Sequence, residues 1–148
     1  MIDLRPARAN DQPQIRALIR RAGINPGGIQ WPRFTVAEIK GEFAGCVQLK
    51  PHRDGSLELA SLAVESERQR LGIGRKLMEH CLASVEGDLH LMCAGHMQAY
   101  YEGYGFIALQ REEMSRYFQH VARAASLVES ISSGRLRLVV MKYMRRST

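Results

Sequence analysis

The sequence predicts an α/β (α+β) fold in a single domain that spans residues 1–148. Short stretches of alternating apolar and polar residues, typical of half-buried strands, recur along the chain. Between them lie stretches whose apolar residues recur every three or four positions, as on amphipathic helices. The chain has 148 residues, of which 45% are hydrophobic. That length is enough to bury one sizeable core and is short for two domains.

The first half of the chain contains one predicted helix and four predicted strands. Asp11, with Gln14 three residues later, predicts a capping box for a helix that presents Ile15, Leu18 and Ile19 on one face. Glycine and proline turns separate the later strands and favour an antiparallel meander. The predicted strands cover residues 2–7, 34–39, 43–49 and 57–64. Residues 23–32 contain three glycines, two prolines and Trp31, and predict a structured loop that is a candidate wall of a pocket.

The second half of the chain alternates helices and strands. A helix is predicted from Ile73 to about Val85, and a long amphipathic helix is predicted over residues 114–131, ended by Ser132-Ser133-Gly134. Between these two helices we expect a strand over residues 89–93, a short helix over 97–104 and a strand over 106–109. A closing strand is expected over residues 136–144.

Charge and cysteine usage restrict the possible partners. The formal net charge of +6 suits an anionic ligand, but the basic residues are dispersed, so no nucleic-acid partner is expected. The three cysteines form no CxxC pair and predict reduced thiols and no metal site. The first residues have no apolar signal core, and no stretch reaches the roughly 18 apolar residues of a membrane span. We therefore expect no membrane partner and a cytoplasmic location.

A glycine turn, residues 69–74 (QRLGIG), connects the strand 57–64 to the following helix. A helix N-terminus has unpaired N–H groups and partial positive charge, and glycines let the backbone approach an anion such as a pyrophosphate. Arg70, Arg75 and Lys76 add positive charge beside this turn. Taken alone, a G-x-G pattern is more often a tight strand-to-helix turn that binds nothing. The spacings of a Walker A loop and of a dinucleotide-binding turn are both absent.

Two ordered motifs resemble those of the GNAT superfamily of acyl-CoA N-acyltransferases. Residues 69–74 resemble the Q/R-x-x-G-x-G/A signature of that superfamily, and Leu62-Ala63-Val64 precede them as in its central strand. Residues 101–106 (YEGYGF) resemble its Y-E-x-x-G-F segment, one strand and one short helix later. The resemblance extends over residues 2–106, and the strand 136–144 is consistent with the last strand of that fold.

The resemblance implies a fold, an acyl donor and a binding site. The fold is a mixed, mostly antiparallel central sheet with helices on both faces and a splayed strand pair that forms the acyl-CoA cleft. The donor is acetyl-CoA, acting as a co-substrate, with no metal, and a homodimer is a further expectation. The residues expected to bind acetyl-CoA are Leu62, Ala63, Val64, Gln69, Arg70, Leu71, Gly72, Ile73, Gly74 and Arg75.

The sequence departs from the family pattern in three places. Ala94 stands where many members have an asparagine that contacts the cofactor. The helix 114–131 is longer than the usual connection between the last two strands, and the loop 23–32 replaces a common second helix. The last two departures lie where the acceptor substrate is expected to bind.

Two residues are the candidates for acid–base catalysis. By the family match, Tyr101 is the general acid that protonates the departing CoA sulfur. Glu58 lies where some members place a catalytic glutamate, although the alternating pattern is equally compatible with an exposed strand residue. Glu38 and Glu42 are weaker candidates for the base. Cys93 is expected to be a buried apolar residue and not a nucleophile.

Several other histidines and tyrosines are more typical of solvated or packing residues than of catalytic ones. His52 and His96 lie in predicted loops, where histidines are more often solvated than catalytic. Tyr100 and Tyr104 are expected to pack, because one short helix does not direct three hydroxyl groups at the same thioester.

The function expected from the resemblance is transfer of the acetyl group of acetyl-CoA to a primary amine of a small molecule or amino acid. Transfer would be direct, in a ternary complex. The alternatives are acetylation of a protein lysine or N-terminus, and acyl-CoA sensing without catalysis. An open groove would favour a protein acceptor, whereas a closed pocket near Trp31 would favour a small molecule.

Overall fold

The computed structural model describes residues 1–131 and 137–145, with the backbone alone described at 130 and 131. It contains two compact units. The first consists of Met1–Lys50 and Leu59–Glu86, and the second of Pro51–Glu58 and Gly87–Thr148. The single-domain organisation stays a prediction. The predicted helix end at Ser132-Ser133-Gly134 and the start of the last strand at residue 136 lie outside the described residues.

Seven strands in the described part of the chain form one mixed sheet in the order β1-β2-β3-β4-β5-β7-β6. The sheet is mostly antiparallel, and β4 and β5 are its parallel pair. The strands are β1 Ile2–Pro6, β2 Phe34–Ile39, β3 Glu42–Pro51, β4 Leu57–Val64, β5 His90–Ala94, β6 Phe106–Ala108 and β7 Leu138–Tyr143. This topology confirms the mixed, mostly antiparallel α/β fold that the sequence predicts.

The helices follow the predicted order, with ends shifted by a few residues. They are α1 Gln12–Arg21, α2 Ile73–Ser84, α3 Gln98–Glu102 and α4 Arg116–Ile131. Residues 23–30 contain turns without a helix, and a 3-10 turn follows at Trp31–Arg33, which confirms the predicted structured loop. Within residues 1–131 and 137–145, no helix has the length and apolar composition needed to cross a lipid bilayer.

In the first unit, α1 and α2 pack on opposite faces of the sheet. Cys46 on β3 belongs to a buried cluster that includes Ile15 and Ile19 of α1. A Cβ placed on the neighbouring Gly45 would instead lie 3.2 Å from Ile73 of α2. Because successive strand residues point to opposite faces, the two helices cover opposite sides of β3.

The second unit has its own core around β7. His90 to Ala94 of β5 pair in antiparallel register with Lys142 to Leu138, and β6 pairs with β7 from Phe106↔Tyr143 to Ala108↔Met141. Helix α4 packs against β7. The largest side chains buried in this unit are those of Leu89, Leu91, Phe106, Phe118 and Met141. The early turns of α4 are therefore part of the core.

The predicted capping box between Asp11 and Gln14 is wrong. Asp11 makes no side-chain cap to α1 and has helical backbone angles. Its carboxylate instead accepts hydrogen bonds from the Arg8 N–H at 2.7 Å and from the Arg5 guanidinium at 2.8 and 2.9 Å. Glu38 on β2 pairs with the same guanidinium at 3.1 Å. The buried Asp11 carboxylate therefore links β1 to the turn before α1. An arginine partner stabilises the carboxylate charge more than the N-terminus of the helix would.

Replacing Asp11 by asparagine is expected to destabilise the fold by about 2 kcal/mol at pH 7, since hydrogen bonds to a charged group are lost. The hydrogen bonds from Arg5 hold the pKa of Asp11 below its ordinary value of 3.8. This contribution is therefore present above pH 3.8 and is lost as the pH falls through the lower, folded-state pKa. Urea unfolding from pH 3 to pH 7 tests this, with the exposed Asp3→Asn as control. An equal pH slope in the wild type and Asp11→Asn would contradict it.

Candidate functional site

The predicted glycine turn forms an exposed helix N-terminus in the first unit. Gly72 is the N-cap of α2 and has a left-handed backbone with φ 88° and ψ 11°. Glycine adopts this conformation without strain and has no side chain to accept hydrogen bonds from the first N–H groups of the helix. The first turn of α2 contains no acidic residue. Its N–H groups and the helix dipole therefore suit an anion.

The residues around the turn divide into an anchor and an exposed rim. Ile73 is 1% exposed and fixes the start of α2 in the core. Leu71 is 56% exposed, and Arg70 has a left-handed backbone with φ 68°. The side chain of Arg75 is 71% exposed and lies 3.7 Å from Glu79. This arrangement leaves the basic side chains on the solvent side of the turn.

Strand β4 changes backbone conformation just before the residues predicted to hold the acyl donor. Ser61 has a φ of 57°, which is unusual for a residue other than glycine. Its hydroxyl accepts a 2.8 Å hydrogen bond from the Gln48 amide on β3. Leu62, Ala63 and Val64 follow directly, and the Gln69 amide lies 3.5 Å from the Val64 carbonyl. The structure thus brings Gln69 next to the predicted segment 62–64.

Glu58 is not an exposed strand residue. It is 3% exposed, and its Oε1 lies 2.8 Å from His52 Nε2. Its register partner on β5 is His90. A buried carboxylate needs a hydrogen-bond partner, and His52 supplies one. The sequence predicts that His52 is a solvated loop residue, and the structure shows it buried against Glu58. The sequence feature that indicates this contact is the position of His52 in the short turn between β3 and β4.

Tyr101 lies on α3 in the second unit. Burial, with a smaller contribution from the nearby Cys93, raises the pKa of its phenol to about 12. Its ring packs edge-on against Tyr100 at 5.0 Å and against Phe106 at 6.4 Å. The phenol therefore keeps its proton at neutral pH and can act as a proton donor.

The other candidate residues are engaged or inert. Glu38 pairs with Arg5, and Glu42 pairs with Arg68 at 2.6 Å, so neither carboxylate resembles a base directed at a substrate. Burial raises the pKa of the Cys93 thiol, which disfavours the thiolate that a nucleophile requires. Among the described residues, no group of three His, Cys, Asp or Glu side chains is placed to hold a metal ion.

Comparison with protein families gives a match that covers the glycine turn, Glu58 and Tyr101. The family model described as "Acetyltransferase (GNAT) domain" matches residues 30–108. A search of curated proteins finds no match.

Solved structures share the fold at low sequence identity. N-acetylglutamate synthase from Neisseria gonorrhoeae, complexed with coenzyme A and N-acetyl-glutamate, has a TM-score of 0.73 and 23% identity, over 99% of this chain and 36% of that one. Rv2747 from Mycobacterium tuberculosis, in complex with CoA and NLQ, has a TM-score of 0.74 and 18% identity, over 97% of this chain and 99% of that one. The ribosomal-protein-S18-alanine N-acetyltransferase from Escherichia coli has a TM-score of 0.69 and 20% identity, over 100% of this chain and 98% of that one. The chain spans about a third of the Neisseria synthase.

Replacing Gly72 by alanine is expected to destabilise the fold by about 1 kcal/mol, because a Cβ is strained at positive φ. Gly87 is the matched control: its φ is not in the positive range, and a Cβ there meets no atom within 4 Å. Gly87→Ala should change the free energy of unfolding by less than about 0.5 kcal/mol. Urea unfolding of both variants measures the difference. Equal stability of Gly72→Ala and the wild type would contradict the left-handed cap.

Proposed function

The chain belongs to the GNAT acetyltransferase family, and we propose that it transfers the acetyl group of acetyl-CoA to a primary amine of a small molecule or amino acid. The observation that carries this proposal is the family match over residues 30–108, which includes an exposed glycine turn at the start of α2. Transfer takes place directly, in a ternary complex.

Acetyl-CoA fits the chemistry of the glycine turn. The left-handed Gly72 opens the backbone of the first turn to an anion, and Gly74 adds no side chain in that turn. Arg70 and Arg75 complement the negative charge of a pyrophosphate. The residues that would hold acetyl-CoA are Gln69, Arg70, Leu71, Gly72, Ile73, Gly74 and Arg75, with Leu62, Ala63 and Val64 contacting the pantetheine arm through their backbone. When bound, acetyl-CoA supplies the thioester carbonyl that the acceptor amine attacks.

Glu58 acts as the base in this proposal. An amine attacks only as the neutral species, and deprotonating a lysine-like amine of pKa about 10.4 at pH 7 costs roughly 4 to 5 kcal/mol. A buried carboxylate next to the acceptor takes that proton, either directly or through a water. The burial of Glu58 and its hydrogen bond to His52 support this role, since an exposed strand glutamate would have neither.

Tyr101 acts as the acid. Its phenol keeps its proton at neutral pH, as a phenol with the ordinary pKa near 10 also would, and burial raises that pKa further, to about 12. The CoA thiolate that leaves has an ordinary thiol pKa near 8.5, so the phenol assists the departure of the thiolate and is not indispensable for it.

A small acceptor is supported by the loop over residues 23–32. The Gln12 side chain donates to the Ile29 carbonyl and accepts from the Trp31 N–H, both at 2.9 Å. Ile29 is 9% exposed and belongs to the core, while Trp31 is 36% exposed. These hydrogen bonds fix residues 29–31, in the C-terminal part of the loop, and this part provides a defined wall, as a small-molecule pocket requires.

Acetyl-CoA is expected to raise Tm, because a ligand at 100 times its Kd stabilises the folded protein by about 2.7 kcal/mol. Thermal-shift measurements with acetyl-CoA, butyryl-CoA, free CoA and a DNA duplex test the class of ligand. Thiol release with amino acids, aliphatic amines, and peptides that carry a free N-terminus or a lysine then tests the acceptor. Faster release with peptides would support a protein acceptor instead. No shift with any CoA derivative would overturn the proposal, and a shift without turnover would favour a sensor.

Replacing Tyr101 by phenylalanine is expected to lower kcat by about 10²-fold, the lower range for an acid–base group, with KM for acetyl-CoA nearly unchanged. Tyr100→Phe is the matched control, because Tyr100 lies on the same helix and is 41% exposed. Steady-state thiol release measures both variants. If Tyr101→Phe turns over as fast as Tyr100→Phe, Tyr101 is not the acid.

A further inference from the structure

His52 and Glu58 form a buried pair within one short segment of the second unit. The side chains are 10% and 4% exposed, and the Nε2–Oε1 distance is 2.8 Å. His52 lies after the end of β3 and Glu58 is the second residue of β4, so the turn between the two strands brings them together. Hydrogen bonds between the His52 N–H and the Ser56 carbonyl, and between the Gly55 N–H and the His52 carbonyl, close that turn.

Helix α4 holds the imidazole ring of His52 in place. Tyr117 stacks on the ring with centroids 3.6 Å apart and an interplanar angle of 15°. Phe118 contacts it edge-on at 5.7 Å. Asp54, from the same turn, accepts a 2.9 Å hydrogen bond from the Tyr117 N–H at the start of α4. The ring is thus restrained on its face and at its edge, which leaves Nε2 directed at Glu58.

The hydrogen bond defines the orientation of the carboxylate. A carboxylate only accepts hydrogen bonds, so the Nε2–H of His52 is the donor to the ionised Glu58. The other titratable groups around the pair are Tyr117 on α4, Asp54 in the turn and His90 on β5. Burial lowers the pKa of His90 and so favours its neutral form. The hydrogen bond that the structure shows on the Glu58 carboxylate is the one from His52.

We propose that His52 is the positioning residue of the reaction: its Nε2–H binds one oxygen of Glu58 and aims the other oxygen at the acceptor amine. This inference rests on the proposed function, in which Glu58 is the base. In the step itself an N–H bond of the acceptor ammonium breaks and an O–H bond forms on Glu58. The Nε2 of His52 is engaged by Glu58 and its ring is covered by Tyr117, so in this proposal His52 acts only through Glu58. Helix α4 contributes to catalysis by holding the His52 ring in place through Tyr117 and Phe118.

A double-mutant cycle tests this inference in the 148-residue chain. Thiol release from acetyl-CoA is measured for His52→Ala, Glu58→Gln and the combined variant, with the best amine from the acceptor panel. We expect His52→Ala to lower kcat by about 10²-fold, as for loss of a well-placed base, with KM for acetyl-CoA within about twofold. In the Glu58→Gln background the same change should cause no further loss, because His52 has nothing left to position.

Conservative and control variants separate positioning from folding. His52→Gln keeps an N–H donor near the carboxylate and should retain kcat within about tenfold of the wild type. His120→Ala removes an exposed histidine of α4 and should leave kcat unchanged. If His52→Ala does not fold, as judged by its thermal transition, the cycle is run with His52→Leu, and His52→Gln stays the conservative control.

The outcomes distinguish this inference from the proposed function. A wild-type protein that acetylates none of the amines overturns the proposed function. An active wild type whose His52→Ala variant is equally active, or loses as much activity in the Glu58→Gln background as in the wild type, overturns the positioning role alone. Nitrogen-15 NMR gives a readout independent of turnover: we expect the His52 ring with its proton on Nε2, and a proton on Nδ1 alone would contradict the proposal.

Discussion

Burial of a carboxylate at the start of the central strand is the constraint on which the second unit depends. Glu58 is 3% exposed, and a buried charge is stable only with a partner. The partner is His52, whose ring is held by Tyr117 at the start of α4. The turn after β3, the first residues of β4 and the early part of α4 are therefore linked by one hydrogen bond and one ring stack. An apolar residue at position 58 would leave His52 without the hydrogen bond that links it to β4.

The local elements can be predicted from the sequence because their signals are local. Strands β2 and β4 begin and end where alternation predicts, and the glycine turn is followed by α2. These predictions depend on spacing within a few residues, and such spacing survives folding unchanged. Glu58 and Tyr101 are candidates for acid–base chemistry through the family resemblance and not through local spacing.

The features that the sequence does not predict depend on contacts between distant segments. The spacing of Asp11 and Gln14 predicts a cap for α1. The Asp11 carboxylate instead accepts two hydrogen bonds from Arg5 on β1, because a charged, bidentate partner stabilises it more than the N–H groups of the helix. The loop position of His52 predicts a solvated ring, since nothing near it in sequence shows that Tyr117, on a helix far along the chain, covers that ring. Tyr117 and Phe118 at the start of α4 both contact the His52 ring.

In the function that we propose, Glu58 is the base of an acetyl-CoA-dependent acetylation. The direct measurement is product analysis after incubation with acetyl-CoA labelled with carbon-13 at the carbonyl and a panel of primary amines. We expect a labelled acetyl amide from the wild type, formed about 10² to 10⁴ times more slowly by Glu58→Gln. Labelled acetate alone, or equal rates of amide formation by the two proteins, would contradict it.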